Sequence, residues 1–213
     1  MNKFIIFDLD GTLIDTLTGI TAASNALCKD LNLPYNYSKE EVKTFIGTGA
    51  KHLFLDVVNQ REFKEEEFNL FLEEYEKYQY VSEPFPHVIE TLLKFEKLGF
   101  KLFLLSNKPD HLLQKLIKAK LNMIDFKVIQ GQDMNYPCKP DPTLLNEKII
   151  KPFNLNPKDG WYVGDSYVDA LTGKNAFLKT ILLSYGYGNI EKSKESNPDY
   201  LIDEFSTLLG IIK

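Results

Sequence analysis

Phe4-Ile5-Ile6-Phe7-Asp8-Leu9-Asp10-Gly11-Thr12 begins as four large apolar residues and breaks abruptly into acids. An apolar run with no polar alternation reads as a strand buried on both faces of a sheet. The acids then stand at its carboxyl end, where open α/β sheets bind ligands. Side chains two apart on a strand leave the same face, so Asp8 and Asp10 converge while Leu9 returns to the core. Two carboxylates held together call either for a divalent cation or for one ionised and one protonated partner. Gly11 permits a tight exit turn that brings the backbone close to an anion. In isolation the same residues also fit a surface turn, and the rest of the chain decides.

Working outward, four more strand-like runs follow: residues 101–106, 126–130, 161–165 and 180–184. Helical patterns separate most of them. Residues 87–98 are amphipathic and stop at Gly99, residues 110–120 open on Asp110, and Asp141-Pro142 starts a helix to about Ile150. Buried strands alternating with helices predict an α/β fold with a doubly wound parallel sheet, Rossmann-like in its core. Residues 16–83 interrupt the alternation without a convincing strand. There Ser38-Lys39-Glu40-Glu41 reads as a capping box opening a helix through Phe45, and Phe68, Phe71, Leu72, Tyr75 and Tyr78 recur at helical spacing as a core stripe. Residues 82–86, with two prolines, read as the return linker. The expected organisation is therefore a catalytic core of residues 1–15 and 84–213 with an inserted all-helical cap of residues 16–83. Such an insert can act as a lid that excludes water and chooses the substrate.

The 213 residues are 44% hydrophobic and 26% charged, as in an ordinary soluble protein. A net charge of −5 without a basic block argues against a nucleic-acid partner. No apolar stretch approaches ~18 residues, so no membrane span is expected. The apolar run at the amino terminus is too short for a signal peptide. Cys28 and Cys138 lack metal spacing and read as reduced thiols. Together these features predict a cytoplasmic protein; a monomer or homodimer is expected.

Three further features end at the same sheet edge as Asp8. The second long strand finishes in Ser106-Asn107-Lys108, a hydroxyl and an amide where the next helix begins, and helix amino termini bind phosphate well. Lys139-Pro140-Asp141-Pro142 holds an ammonium in a stiff turn able to offset phosphate charge. Gly164-Asp165-Ser166-Tyr167-Val168-Asp169 adds a second acidic pair directly after an apolar run. Asp165 could complete a hard-cation site with Asp8, and Asp169 could orient the metal's waters.

In order and position, these stretches resemble the four motifs of the haloacid dehalogenase superfamily: Asp8 to Thr12, Ser106, Lys139, and Gly164-Asp165 with Asp169. The insertion point resembles that of the family's helical C1 cap. An aspartate at position 10 points to the phosphatase branch, because dehalogenase and phosphonate-cleaving members lack it. Residues 45–50, 106–109 and 185–188 are similar to stretches of bacterial phosphoglycolate phosphatases. Phe177 departs from the pattern, which implies a glycine there.

The resemblance implies two-step phosphoryl transfer. Asp8 attacks phosphorus and forms an aspartyl-phosphate, and Asp10 protonates the leaving oxygen and then deprotonates water. Mg2+ is implied on Asp8, Asp165 and the backbone carbonyl of Asp10, and Ser106, Asn107 and Lys139 are implied to hold the phosphoryl group. The expected partner is a small phosphorylated metabolite, phosphoglycolate first. Inorganic pyrophosphate or a sugar phosphate follows, and a phosphomutase reading ranks lower. Specificity is expected from Thr48, with Lys51 or His52 answering a substrate carboxylate.

Overall fold

In the computed structural model, which describes residues 3–213, strand β1 (Phe4–Phe7) is fully buried. The chain next forms a two-residue strand, β2 (Ile14–Asp15), and then four helices: α1 (Leu17–Asp30), α2 (Lys39–Lys43), α3 (Ala50–Val57) and α4 (Glu65–Tyr78). It returns through β3 (Glu83–Pro84), which pairs antiparallel with β2. After that come α5 (Val88–Lys97), β4 (Lys101–Pro109), α6 (Asp110–Lys120), β5 (Phe126–Gln132) and α7 (Thr143–Leu145, prolonged as a π-turn to Ile150). The remaining elements are β6 (Gly160–Gly164), α8 (Tyr167–Asn175), β7 (Lys179–Leu183), α9 (Ile190–Glu195), β8 (Tyr200–Ile202) and α10 (Leu208–Ile211).

Six strands make one parallel sheet in the order β5-β4-β1-β6-β7-β8. From β1 the chain builds outward through β4 and β5, then returns to place β6 on the other flank of β1. That reversal opens a crevice beyond the carboxyl ends of the central strands, the place where α/β sheets bind ligands. Phe7 lies opposite Leu104 of β4 and Val163 of β6, so Asp8, the last residues of β4 and Asp165 just beyond β6 emerge at the same edge.

Side-chain alternation explains why β1 has no polar residue. Ile5 and Phe7 enter a core with Leu92 and Phe95 of α5, Leu116 of α6 and Leu208 of α10. Phe4 and Ile6 enter the opposite core with Leu144, Ile149 and Tyr162. A third cluster joins α1, α3 and α4 through Ile20, Leu27, Phe54, Val57 and Phe71, and Leu112 of α6 completes it. The helices of the insert therefore pack mainly on one another, with a foothold on the sheet layer.

Several local expectations need amending. Residues 83–84 form β3 rather than plain linker, because Ile14 and Asp15 offer it a partner. The three-residue β8 has too little pattern to be read from sequence. The α2 helix starts in the expected capping box but ends at Lys43. Asp110 does not cap α6 and instead accepts a 2.8 Å hydrogen bond from the Gly131 N–H. In the aromatic stripe of α4, Phe71 and Tyr75 are buried while Tyr78 is exposed. Among the described residues, no helix is long and apolar enough to cross a membrane.

Candidate active site

Asp8 follows β1, Asp165 follows β6 and Asp169 lies in the first turn of α8. Each offers a carboxylate oxygen, and these atoms all lie within 4.8 Å of one another. All three residues are buried. The Lys139 ammonium sits between two of them, donating to Asp8 Oδ1 at 2.7 Å and to Asp169 Oδ1 at 2.7 Å. Lys139 is aimed from behind: its backbone N–H donates to Asn107 Oδ1 at 2.9 Å and its carbonyl accepts from Asn107 Nδ2 at 3.2 Å.

The second oxygen of Asp169 accepts from the Ser166 N–H and hydroxyl, which holds the first turn of α8 against the site. Asp165 Oδ2 accepts from the backbone N–H groups of Tyr187 (2.6 Å) and Gly188 (3.1 Å), and its Oδ1 accepts from the Thr12 hydroxyl. Small residues make this convergence possible. Gly11 has φ +83°, and a Cβ there would come within 2.6 Å of Asp165 Oδ2; at Gly164 it would meet the Asp169 Cβ at 2.2 Å.

Burial dominates the electrostatics. It pushes the Asp8 carboxyl up to about 8, with the Asp169 and Asp165 charges adding to the shift and Lys139 opposing it. Burial and Asp169 push Asp165 up to about 7, against the pull of the Tyr187 and Gly188 N–H groups. Burial also works against the Lys139 charge, but Asp169 and Asp8 outweigh it and hold the ammonium well above the usual lysine range. A buried, all-oxygen cluster in which Asp8 and Asp165 resist ionisation fits a hard divalent cation, whose charge would replace their bound protons.

Asp10 and Ser106 line the same small cavity, of about 50 Å³, whose lining also includes Ile46, Gly47 and Gly49 of the loop before α3, and Leu53 and Tyr75. That loop is tied to the sheet by Asn107 Nδ2, which donates to the Gly47 carbonyl at 3.0 Å.

The family model of the haloacid dehalogenase-like hydrolases matches residues 5–183, a span that includes every carboxylate and lysine just described. This chain belongs to the haloacid dehalogenase-like hydrolases. Along 99% of its length it is 34% identical to a phosphoglycolate phosphatase of Haemophilus influenzae, covering 98% of that protein. It is 31% identical to a phosphoglycolate phosphatase of Vibrio cholerae, over 99% of this chain and 96% of that one. A crystal structure of a predicted phosphoglycolate phosphatase from Haemophilus somnus superposes with a TM-score of 0.89 at 31% identity, over 99% and 98% of the two chains. The chain is thus an enzyme of the phosphatase branch of these hydrolases.

Within this haloacid dehalogenase-like site, Asp8, Asp165, Asp169, Lys139, Ser106 and Asn107 come together at one sheet edge. The carboxylate of Asp10 stands outside the acidic cluster, with Oδ1 buried, without a hydrogen-bond partner and 3.7 Å from Lys108 Nζ. Asp169 lies within the cluster rather than behind it. Asn107 spends its amide on Gly47 and Lys139 and acts as a strut between loops. Thr48, Lys51 and His52 are exposed and do not line the cavity. Lys51 Nζ covers the Phe63 ring at 4.3 Å, and His52 Nδ1 lies 3.1 Å from the Thr48 carbonyl. The turn of α3 decides this, since Ala50, Leu53, Phe54 and Val57 take its inward face.

Sequence reasoning assigned no role to Lys108, Tyr75 or Tyr187, although each lines the cavity. Lys108 sits beside Ser106 in the stretch already singled out, and alternation along β4 was the available signal. Tyr75 was hidden within a hydrophobic stripe, and nothing local marks its hydroxyl-bearing ring as part of a site.

Proposed function

We propose that this chain is an Mg2+-dependent phosphatase of small phosphate monoesters, with a phosphoglycolate-like substrate, acting through an aspartyl-phosphate on Asp8. The observation that carries this reading is the buried Asp8 carboxylate, flanked by Asp165 and Asp169, paired with Lys139 and followed two residues later by an unpartnered Asp10 oxygen. Asp8 and Asp165 would hold the cation, with Asp169 beside them. When bound, it would neutralise charge on the transferring phosphoryl group.

An Asp8 oxygen attacks phosphorus as the bond to the alcohol oxygen breaks, and Asp10 gives its proton to the departing alkoxide. Asp10 then takes a proton from water, the water oxygen attacks phosphorus, and the bond to Asp8 breaks to release inorganic phosphate. Lys139 and Ser106 face the phosphoryl oxygens throughout. Residues 16–83 act as a cap on a core of residues 1–15 and 84–213. The cavity of about 50 Å³ beneath them favours a small leaving group over a bulky one.

A phosphate-release assay over 2-phosphoglycolate, inorganic pyrophosphate, small sugar phosphates and an aryl phosphate tests the reading. Asp8→Asn, which keeps the shape but cannot attack phosphorus, is expected to lose turnover by several orders of magnitude while staying folded. Near-normal turnover from folded Asp8→Asn would refute the nucleophile, and preference for pyrophosphate or a sugar phosphate would replace the substrate.

A further inference from the structure

Two lysines reach the cavity, and only one has its charge matched. Lys139 divides its ammonium between Asp8 and Asp169 at hydrogen-bond distance. Lys108 does not: its side chain has no exposed surface and its Nζ has no hydrogen-bond partner. Its nearest opposite charge, Asp10 Oδ1, stands at 3.7 Å, beyond hydrogen-bond reach. One side of the ammonium is covered by the Tyr75 ring, 3.7 Å from its centroid, so the cap helix α4 and the strand β4 enclose it jointly.

Leaving an ammonium buried without a full set of acceptors is costly. Burial accordingly pulls the Lys108 pKa down, while Asp10 pulls it the other way. An anionic ligand in the cavity would relieve that cost, and the position of Lys108 says which anion. Asp10 faces the oxygen that leaves phosphorus, so a group 3.7 Å from Asp10 lies beside the leaving group rather than beside the phosphoryl oxygens. Lys51 and His52, in the first turn of α3, are exposed and do not line the cavity.

The geometry points to Lys108 as a subsite for a second anionic group, a carboxylate one carbon beyond the ester oxygen of the substrate. This rests on the phosphatase reading above and deepens it. In an ester of that shape the carboxylate carbon is bonded to the carbon bearing the leaving oxygen, so Asp10 and Lys108 can serve neighbouring atoms at once. Esters lacking the anion would leave the buried ammonium unpaired, and rejection by an unpaired buried group is the stronger form of discrimination.

The test compares 2-phosphoglycolate with ethyl phosphate, which replaces the carboxylate by a methyl group. We would measure kcat/KM for both with the wild type, Lys108→Met and Lys108→Arg. The wild type is expected to prefer 2-phosphoglycolate, Lys108→Met to lose about 100-fold more on that ester than on ethyl phosphate, and Lys108→Arg to restore part of the preference. Equal losses on both esters would overturn the subsite and make Lys108 a positioning residue for Asp10. So would a wild type that cleaves both equally well.

Calorimetric binding of the two esters to Asp8→Asn, with and without Lys108→Met, separates this inference from the catalytic reading. Carboxylate-selective binding that disappears with Lys108→Met supports the subsite even if turnover of neither ester is seen. Binding that ignores the carboxylate overturns it even in an active phosphatase.

Discussion

Phe177 follows α8 with φ +61° and leaves 83% of its surface in solvent. Its N–H donates to the Lys174 carbonyl and the Leu178 N–H to the Gly173 carbonyl, the paired hydrogen bonds of a Schellman helix end. That position calls for a left-handed residue, which explains why the family pattern implies glycine there. A phenylalanine adopts it at a conformational cost and, so exposed, recovers almost nothing by burial. Phe177→Gly is therefore expected to stabilise the protein by about 0.5–1 kcal/mol, the relief of strain exceeding the added freedom of the unfolded chain. A urea titration would read this as a higher midpoint with an unchanged slope. A lower midpoint would mean that the ring makes a contact worth more than the strain.

Tyr187 joins elements that are distant in sequence. Its N–H holds Asp165, while its hydroxyl accepts from the Thr16 N–H at 2.7 Å and the Leu17 N–H at 2.9 Å and donates to Asp15 Oδ1 at 2.6 Å. The α1 helix has no side-chain cap of its own, so Tyr187 satisfies its first free donors from across the molecule. Tyr185 supports the same junction by donating to the Thr12 carbonyl at 2.7 Å and packing on Phe85. Together with the β2–β3 ribbon, these contacts anchor the root of the helical insert to the loop that orders the carboxylates. Tyr187→Phe should cost about 1 kcal/mol, the usual scale of a lost helix cap. Amide exchange at Leu17 to Ile20 should quicken while that of β1 stays slow. Unchanged exchange at those amides would show that β2–β3 alone secures the junction.

The buried acidic cluster is expected to make the stability of the whole molecule depend on pH and cation together. Asp8 and Asp165 hold protons in the folded state up to about 8 and about 7, whereas an unfolded aspartate releases them near 4. Between those limits the native state binds more protons than the unfolded one, so this contribution to stability falls as pH rises. A divalent cation that replaces those protons binds better as pH increases, and it stabilises the native state by mass action. The rise in Tm on adding Mg2+ to chelator-treated protein should therefore be small near pH 5, larger near pH 8, and much reduced in Asp165→Ala. An equal rise at both pH values would contradict a site built from these carboxylates.

Much of this architecture is written locally. The unbroken apolar run of β1 can only be buried on both faces, and the acids that end it can only stand at the sheet's carboxyl edge. The strand–helix alternation after residue 84 and the helical character of residues 16–83 follow from periodicity, which short segments carry by themselves. Direction and partnership do not follow in this way. Whether Lys51 or Lys108 faces the cavity depends on how α3 turns its apolar side inward and on where α4 lays Tyr75. Both choices are made by packing between segments far apart in the chain. The same holds for Asn107, which became a strut because the Gly47 carbonyl and the Lys139 backbone arrive beside it, and for Tyr187, whose hydroxyl meets the start of α1. Sequence alone determined the fold class and marked out Asp8, Asp10, Ser106, Lys139, Asp165 and Asp169 as candidates, because both readings rest on local pattern and residue chemistry. The tertiary structure decided which of those side chains are buried together, because burial and pairing belong to contacts that no local pattern encodes.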